Sequence, residues 1–249
     1  MDNNKFDLVF LVGKNDESKI KDYINTNKQN IIGYKNIYII SPCDIFIPGT
    51  ILIKDDIFPF KLEDIKKYEF IKPRATWYLQ QLIKLYTLFV IPGISDRILI
   101  VDADTFFLKP TKFIDENDNI LFNYASENNE PYFKHMTKMH KSLYKYDSNK
   151  SGVVHHMLFD KMILKELFNL IEDYHKKAFW VAFLDCVGLN KDEAFAGASE
   201  YEIYFNYCCI YHNDKIKVRR LYFNDWFCKE PVSINDMSYI SNHDWMFNK

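Results

Sequence analysis

The chain has 249 residues, 48% of them hydrophobic, which is enough for one large domain with a sizeable core. Its 32 basic and 34 acidic side chains leave a formal net charge of −2, so there is no electrostatic case for a nucleic-acid groove or a membrane-adsorbing face, and small molecules are the expected partners. The five cysteines (Cys43, Cys186, Cys208, Cys209 and Cys228) form no CxxC pair and read as reduced, mostly buried thiols. With a polar amino terminus and no run near the roughly twenty apolar residues a bilayer span needs, the expected location is the cytoplasm.

In chain order, FDLVFLVGKND is a short apolar run, DESKIKDYINTNKQN a helical stretch and NIYIISP a second apolar run closed by Pro42. That alternation is a β-α-β unit, which implies parallel strands buried on both faces. Residues 51–70, with Pro59 and the acidic pair Asp55 and Asp56, read as a connecting loop and short helix. TWYLQQLIKLYTLFV is the clearest helix: Leu79, Leu82, Ile83, Tyr86, Phe89 and Val90 recur as its apolar face. Gln80, Gln81, Lys84 and Thr87 gather on a narrow polar stripe, and Pro92 and Gly93 stop the helix. RILIVDADTFFL follows as a central strand.

Residues 123–152, NYASENNEPYFKHMTKMHKSLYKYDSNKSG, show no firm periodicity and read as an excursion of the kind that shapes a cleft. The segment from His155 to Gly188 reads as largely helical. Ser199 and Glu202 have capping-box spacing and open another helix, ASEYEIYFNYCCIYH. IKVRRLYFND gives one more strand before an irregular aromatic end, SYISNHDWMFNK. There is no internal repeat and no Gly/Ser linker.

Asp102 and Asp104 stand where the buried ILIV run finishes, and strands of an open parallel sheet deliver ligand groups at their carboxyl ends. The two-residue period of a strand turns both side chains to one side. Two anionic groups gathered there repel unless a cation holds them, and hard oxygen ligands favour Mg²⁺ or Mn²⁺. The plainer alternative is one solvated aspartate and one loop cap.

In its order of pieces, the segment WYLQQLIKLYTLFVIPGISDRILIVDADTFFLKP, set between the β-α-β opening and the later SGVVHHMLFDK, ASEYEIYFNY and NHDW, resembles GT-A fold glycosyltransferases. It is similar to a family of small glycosyltransferase-like proteins of bacterial polysaccharide clusters and large DNA viruses, and more distantly to glycogenin-like enzymes. The resemblance implies an α/β GT-A fold, a mostly parallel central sheet flanked by helices. Residues 1–249 would form one domain: about 1–110 as the nucleotide-sugar half, and 111–249 as the acceptor-side half with a carboxyl-terminal metal-site segment. It implies a metal-dependent transferase moving a sugar from a nucleotide sugar, a UDP-sugar being the expected donor, to a glycan or glycoconjugate acceptor, with Mn²⁺ or Mg²⁺ as cofactor.

By the same resemblance, Asp102 contacts the ribose or the metal, Asp104 binds the metal bridging the diphosphate, and His243 completes the site, with Asn242 or Asp244 as alternative ligands. Lys84 reaches the diphosphate as a point charge unless it merely belongs to a solvated helix face. Val12, Gly13 and Lys14 hold base and ribose, while Asp16 reads equally as a helix N-cap. His155 and His156 are the candidate acceptor ligands, unless one is a satisfied core histidine. Glu200 is the carboxylate that the Ser199–Glu202 cap leaves without structural duty: a general base if the enzyme inverts, or a support for positive charge on the sugar ring if it retains. Trp226 and Trp245 are weaker candidates for sugar platforms.

Two rival readings remain. ILIVDADTFF also matches haloacid-dehalogenase-like phosphatases, with Asp102 as nucleophile, although there the motif opens the domain and the nearest later acidic candidate here, Asp185 in AFLDCVG, reads as a helix end. The other is a non-catalytic sugar-binding module on the same fold.

Overall fold

The computed structural model describes residues 5–13, 17–188, 190–224 and 232–242. β1 (Phe6–Leu11) is buried along its whole length, as a strand covered on both faces must be. The chain returns through α1 (Glu17–Asn30) and β2 (Ile31–Ile32) to β3 (Tyr34–Ser41), which pairs parallel with β1 and completes the expected β-α-β unit. The buried Asp7 carboxylate ties this opening together by accepting from the backbone N–H of Asn36 at 3.0 Å and of Ser95 at 2.7 Å.

The next segment departs from expectation. Ile51–Lys54 is a strand, β4, parallel to β3 and at the edge of the sheet, where the sequence reads as loop. Four residues followed by two aspartates carry too short a pattern to announce it. α2 (Leu62–Ile65) is the short helix expected there. α3 (Ala75–Val90) follows, ending before Gly93, whose φ of +74° suits a residue without a Cβ.

β5 (Arg97–Asp102) lies parallel to β1, with Asp102 opposite Leu11. The expected continuous strand breaks there. Ala103 and Asp104 form a turn, and β6 (Thr105–Phe107) leaves the sheet to pair antiparallel with a late strand, so the alternation argument stops at Asp102. Two short strands follow, β7 (Thr111–Lys112), which pairs with β2, and β8 (Ile120–Asn123).

Within the supposed excursion lies α4 (Glu130–Met139), with Pro131 in its first turn and Tyr132, Phe133, Met136 and Met139 buried. Those apolar residues recur at helical spacing, so the signal was present in the sequence. The segment read as helical from His155 instead opens with a strand, β9 (His156–Asp160), antiparallel to β5. The Asp160 side chain then caps α5 (Lys161–His175) by accepting from the backbone N–H of Met162 at 3.0 Å. Lys176, left-handed at φ +55°, ends α5 without a glycine.

α6 (Phe179–Asp185), α7 (Lys191–Phe195), α8 (Glu200–Tyr211), β10 (Ile216–Arg219) and β11 (Tyr239–Ser241) complete the chain. β10 pairs with β8, and β11, in the stretch read as irregular, is the partner of β6. Ser199 caps α8 by accepting from the Glu202 N–H at 3.3 Å. The Glu202 carboxylate does not return the bond; it accepts from Gly152 N and from the Asn206 amide, so half of the expected capping box forms.

The central sheet has the order β4-β3-β1-β5-β9, four strands parallel and β9 antiparallel. α3 packs on β5 and α8, and α5 on β9, α6 and α8. This is the expected α/β class: a mostly parallel sheet flanked by helices. Cys186, Cys208 and Cys209 are buried free thiols, Cys43 is half-buried, and Cys228 lies outside the described residues. Burial pushes the Cys186 thiol up to about 11 and the Cys209 thiol up to about 12, so neither is an activated nucleophile. Among the described residues no helix is long and apolar enough to cross a membrane.

Candidate active site

The polar stripe of α3 does not face solvent. Lys84 is 9% exposed and Gln81 2%, because the stripe meets the carboxyl edge of β5 and the start of α8. Lys84 Nζ donates to Asp102 Oδ1 at 2.6 Å, to Glu200 Oε1 at 2.7 Å and to the Tyr201 hydroxyl at 3.1 Å. Tyr201 in turn donates to Asp102 Oδ1 at 2.7 Å. His155 Nδ1 lies 3.5 Å from Asp102 Oδ2, while the His155 carbonyl accepts from the Asp102 N–H at 2.9 Å. The solvated-face alternative for Lys84 is therefore wrong, and so is the expectation that Glu200 has no structural duty.

Charge in this cluster is locked by mutual contact. Burial opposes ionisation of Asp102, but Lys84 and His155 outweigh it and hold the carboxyl well below the usual carboxylate range. Burial likewise opposes the Lys84 ammonium, yet Asp102 and Glu200 raise it above its ordinary value. Burial, then the same two carboxylates, push the Tyr201 phenol far up, so it stays a donor. His155 sits at φ +63°, a left-handed conformation uncommon for a residue with a side chain, and such strain concentrates at functional sites.

Asp104 stands on the turn after β5. Its Oδ1 accepts from the hydroxyls of Thr105 and Ser241, each at 3.4 Å, and its carbonyl accepts from Asn242 N at 2.9 Å, so the described end of the chain docks on this turn. A cavity of about 480 Å³ opens here, and Lys84, Asp102, Asp104, His155 and Glu200 all line it. The fold thus gathers five of the residues singled out in the sequence.

Others fall elsewhere. Val12 is buried and donates its N–H to Ile40 O at 2.9 Å; neither it nor half-buried Gly13 lines the cavity, and Leu11 holds the wall at the end of β1 instead. His156 does not reach the cavity either. It is a core residue whose ring packs edge-on against Phe107, Phe113 and Tyr239, and burial drops it to about 3. His155 precedes β9 at a left-handed φ of +63°, and that turn of the backbone separates its side chain from that of His156, the first residue of the strand. Lys14, Asp16, Trp226, His243, Asp244 and Trp245 lie outside the described residues.

Sequence reasoning missed Tyr201, Arg74 and Trp77 as cavity residues. Arg74, Trp77, Gln81 and Lys84 are spaced 3, 4 and 3 apart, a one-face helical pattern that was available to be read.

Among the described residues no three His, Cys, Asp or Glu side chains converge as a metal cage. The acidic pair nevertheless suits a hard cation. Lys84 and Tyr201 occupy Asp102 Oδ1 and His155 stands beside Oδ2, so a cation here would share Oδ2 with His155 and take the Asp104 carboxylate on the same cavity wall.

Fold and site together define an α/β protein with an acidic, lysine-bridged cavity at the carboxyl edge of its parallel strands. The chain belongs to a family described as a family of unknown function, DUF6492, whose model matches residues 3–240. No curated protein matches it. Among solved structures it is similar to mouse xyloside xylosyltransferase 1 in its apo form, at 9% identity and a TM-score of 0.47 over 96% of this chain and 98% of that one. Likeness at that level leaves the activity to be argued from the site.

Proposed function

We propose that this protein is a GT-A type, metal-dependent glycosyltransferase that moves a sugar from a nucleotide sugar, a UDP-sugar, to a glycan or glycoconjugate. The observation that supports it is the pairing of Asp102 and Asp104 on one cavity wall with Lys84 and Glu200, at the sheet edge where α/β folds bind nucleotides. A divalent cation held by Asp104 and Asp102 Oδ2 would offset the charge that develops on a departing diphosphate. His243 follows Asn242 in sequence and remains a candidate further ligand.

The chain's own groups have distinct tasks. Lys84 keeps Asp102 ionised despite burial, and Tyr201 and the His155 carbonyl fix its orientation. Glu200, held at Oε1 by Lys84, has its second oxygen to take the acceptor proton in an inverting reaction or to support positive charge on the sugar ring in a retaining one. The phosphatase reading takes Asp185, in AFLDCVG, as its later acidic group. Asp185 ends α6 away from the cavity, where it accepts from Tyr68 at 3.0 Å and pairs with Lys177 at 2.6 Å.

The test is incubation with a panel of nucleotide sugars and Mn²⁺. Release of nucleoside diphosphate, with a loss of about a hundredfold or more in Asp104→Asn, is the expected result. Phosphate release from a generic phosphomonoester would favour the phosphatase, and sugar binding without turnover the non-catalytic module. The absence of both turnover and a thermal shift with every nucleotide sugar tried would overturn the proposal.

A further inference from the structure

The wall formed by α3 carries two cations, and they differ in what is left to them. Lys84 is shared by Asp102 and Glu200. Arg74, at the amino end of the helix, has no carboxylate at ion-pair distance among the described residues. Its guanidinium carbon instead lies over two rings, 4.8 Å from the Trp77 centroid and 4.5 Å from that of Phe195. Phe195 is 60% exposed, so this aromatic clamp stands partly in solvent and contributes little to the core.

A guanidinium that meets rings and no carboxylate keeps N–H donors for something else. Their fork matches the two oxygens of a carboxylate or a phosphate.

Between the two cations lies a second sign of an absent ligand. Gln81 is 2% exposed and lines the cavity; its Oε1 accepts from the Glu200 N–H at 3.1 Å, which fixes the orientation of the amide. Its Nε2 is then left buried with no partner among the described residues. Native structures rarely leave a buried amide donor unmatched, and this one lies in the wall of the cavity, beneath its surface.

We infer that the acceptor of this enzyme is anionic, a sugar bearing a carboxylate or a phosphate, with the charged group gripped by Arg74 on the cavity wall. The assignment to the acceptor rests on the glycosyltransferase reading. Arg74 caps the amino end of α3, and Lys84 stands about 15 Å further along the helix axis, so the two cations mark opposite ends of one cavity wall.

The test measures binding rather than turnover. Glucose, galactose, mannose and N-acetylglucosamine glycosides are titrated by calorimetry in matched neutral, uronate and 6-phosphate forms. At least one anionic form is expected to bind about tenfold or more tightly than its neutral match. The gap should close in Arg74→Gln, survive in part in Arg74→Lys and shrink as salt is raised. Phe195→Ala, at an exposed ring, should narrow it without unfolding the chain, which keeps the idea testable if the Arg74 variants misfold.

Equal affinities, no binding by any anionic form, or a preference that persists in Arg74→Gln would overturn the inference. The separate arms for uronate and phosphate say which anion is meant. Nucleoside diphosphate release from the donor alone reports on the transferase reading independently. Release without anion preference sinks only this inference, and anion preference without release sinks only the transferase assignment.

Discussion

A lysine ammonium with two carboxylates and a phenol within 3.1 Å is stable only because each charge answers another. Asp102 and Glu200 are largely withdrawn from water, with side chains 21% and 5% exposed. Lys84→Met would strand two buried anions, and breaking such a pair is strongly destabilising. A loss of about 3–5 kcal/mol is expected, read from the urea midpoint. Tyr201→Phe removes one donor to Asp102 and leaves the ion pairs intact, so a smaller loss, about 1.5–3 kcal/mol, is expected in the same measurement. If Lys84→Met unfolds at the wild-type midpoint, the ion cluster is not what anchors α3 to β5 and α8.

Between elements, the contacts that position the site run through small details of packing. Gly152 precedes β9 and lies so close to α8 that an added Cβ would sit 2.4 Å from Phe205 Cβ and 2.7 Å from the Tyr201 carbonyl. Gly152→Ala must therefore push the segment carrying His155 away from α8, at a cost of about 1–3 kcal/mol. Reduced activity with little change in stability would show that the segment yields rather than resists.

α4 is joined to α6 by His135, whose Nε2 donates to Phe183 O at 2.8 Å when the ring is neutral. Burial lowers His135 to about 4, below the ordinary histidine value. Its unfolded form therefore takes up a proton first as pH falls. The stability it contributes is complete above about pH 6.5 and declines progressively as pH falls toward about 4, by about 3 kcal/mol in total. His135→Phe should flatten that part of the stability profile measured in urea from pH 7 to 4. An unchanged slope would place the titration elsewhere.

Across the whole molecule, the halves divided near residue 110 share one hydrophobic core, and rings from both meet in it: Phe60 lies 6.1 Å from Trp180 and Tyr86 lies 4.9 Å from Phe168. The cavity likewise draws Lys84 and Asp102 from one half and His155 and Glu200 from the other. We expect the two to unfold together, with tryptophan fluorescence and far-ultraviolet circular dichroism giving coincident urea transitions. Two separated transitions would mean that each half holds its own core.

The sequence by itself determined the elements whose pattern is local and long. The apolar runs of β1, β3 and β5, the polar stretch between two of them that becomes α1, the periodic face of α3 and the Ser199–Glu202 spacing that opens α8 are all legible as written, because each is a local pattern in the sequence. β4, β9 and β11 were not, since strands of three to five residues owe their form to the partner they pair with. The same division holds at the site. Asp102 and Asp104 announce themselves by standing after a buried strand, and Lys84 by its polar stripe. That the stripe faces inward, that Lys84 bridges residues 18 and 116 positions away, and that His155 and not His156 meets Asp102 were decided by tertiary structure. The reason is physical: an ion pair closed across the chain has no period and no spacing, and exists only where packing brings its ends together.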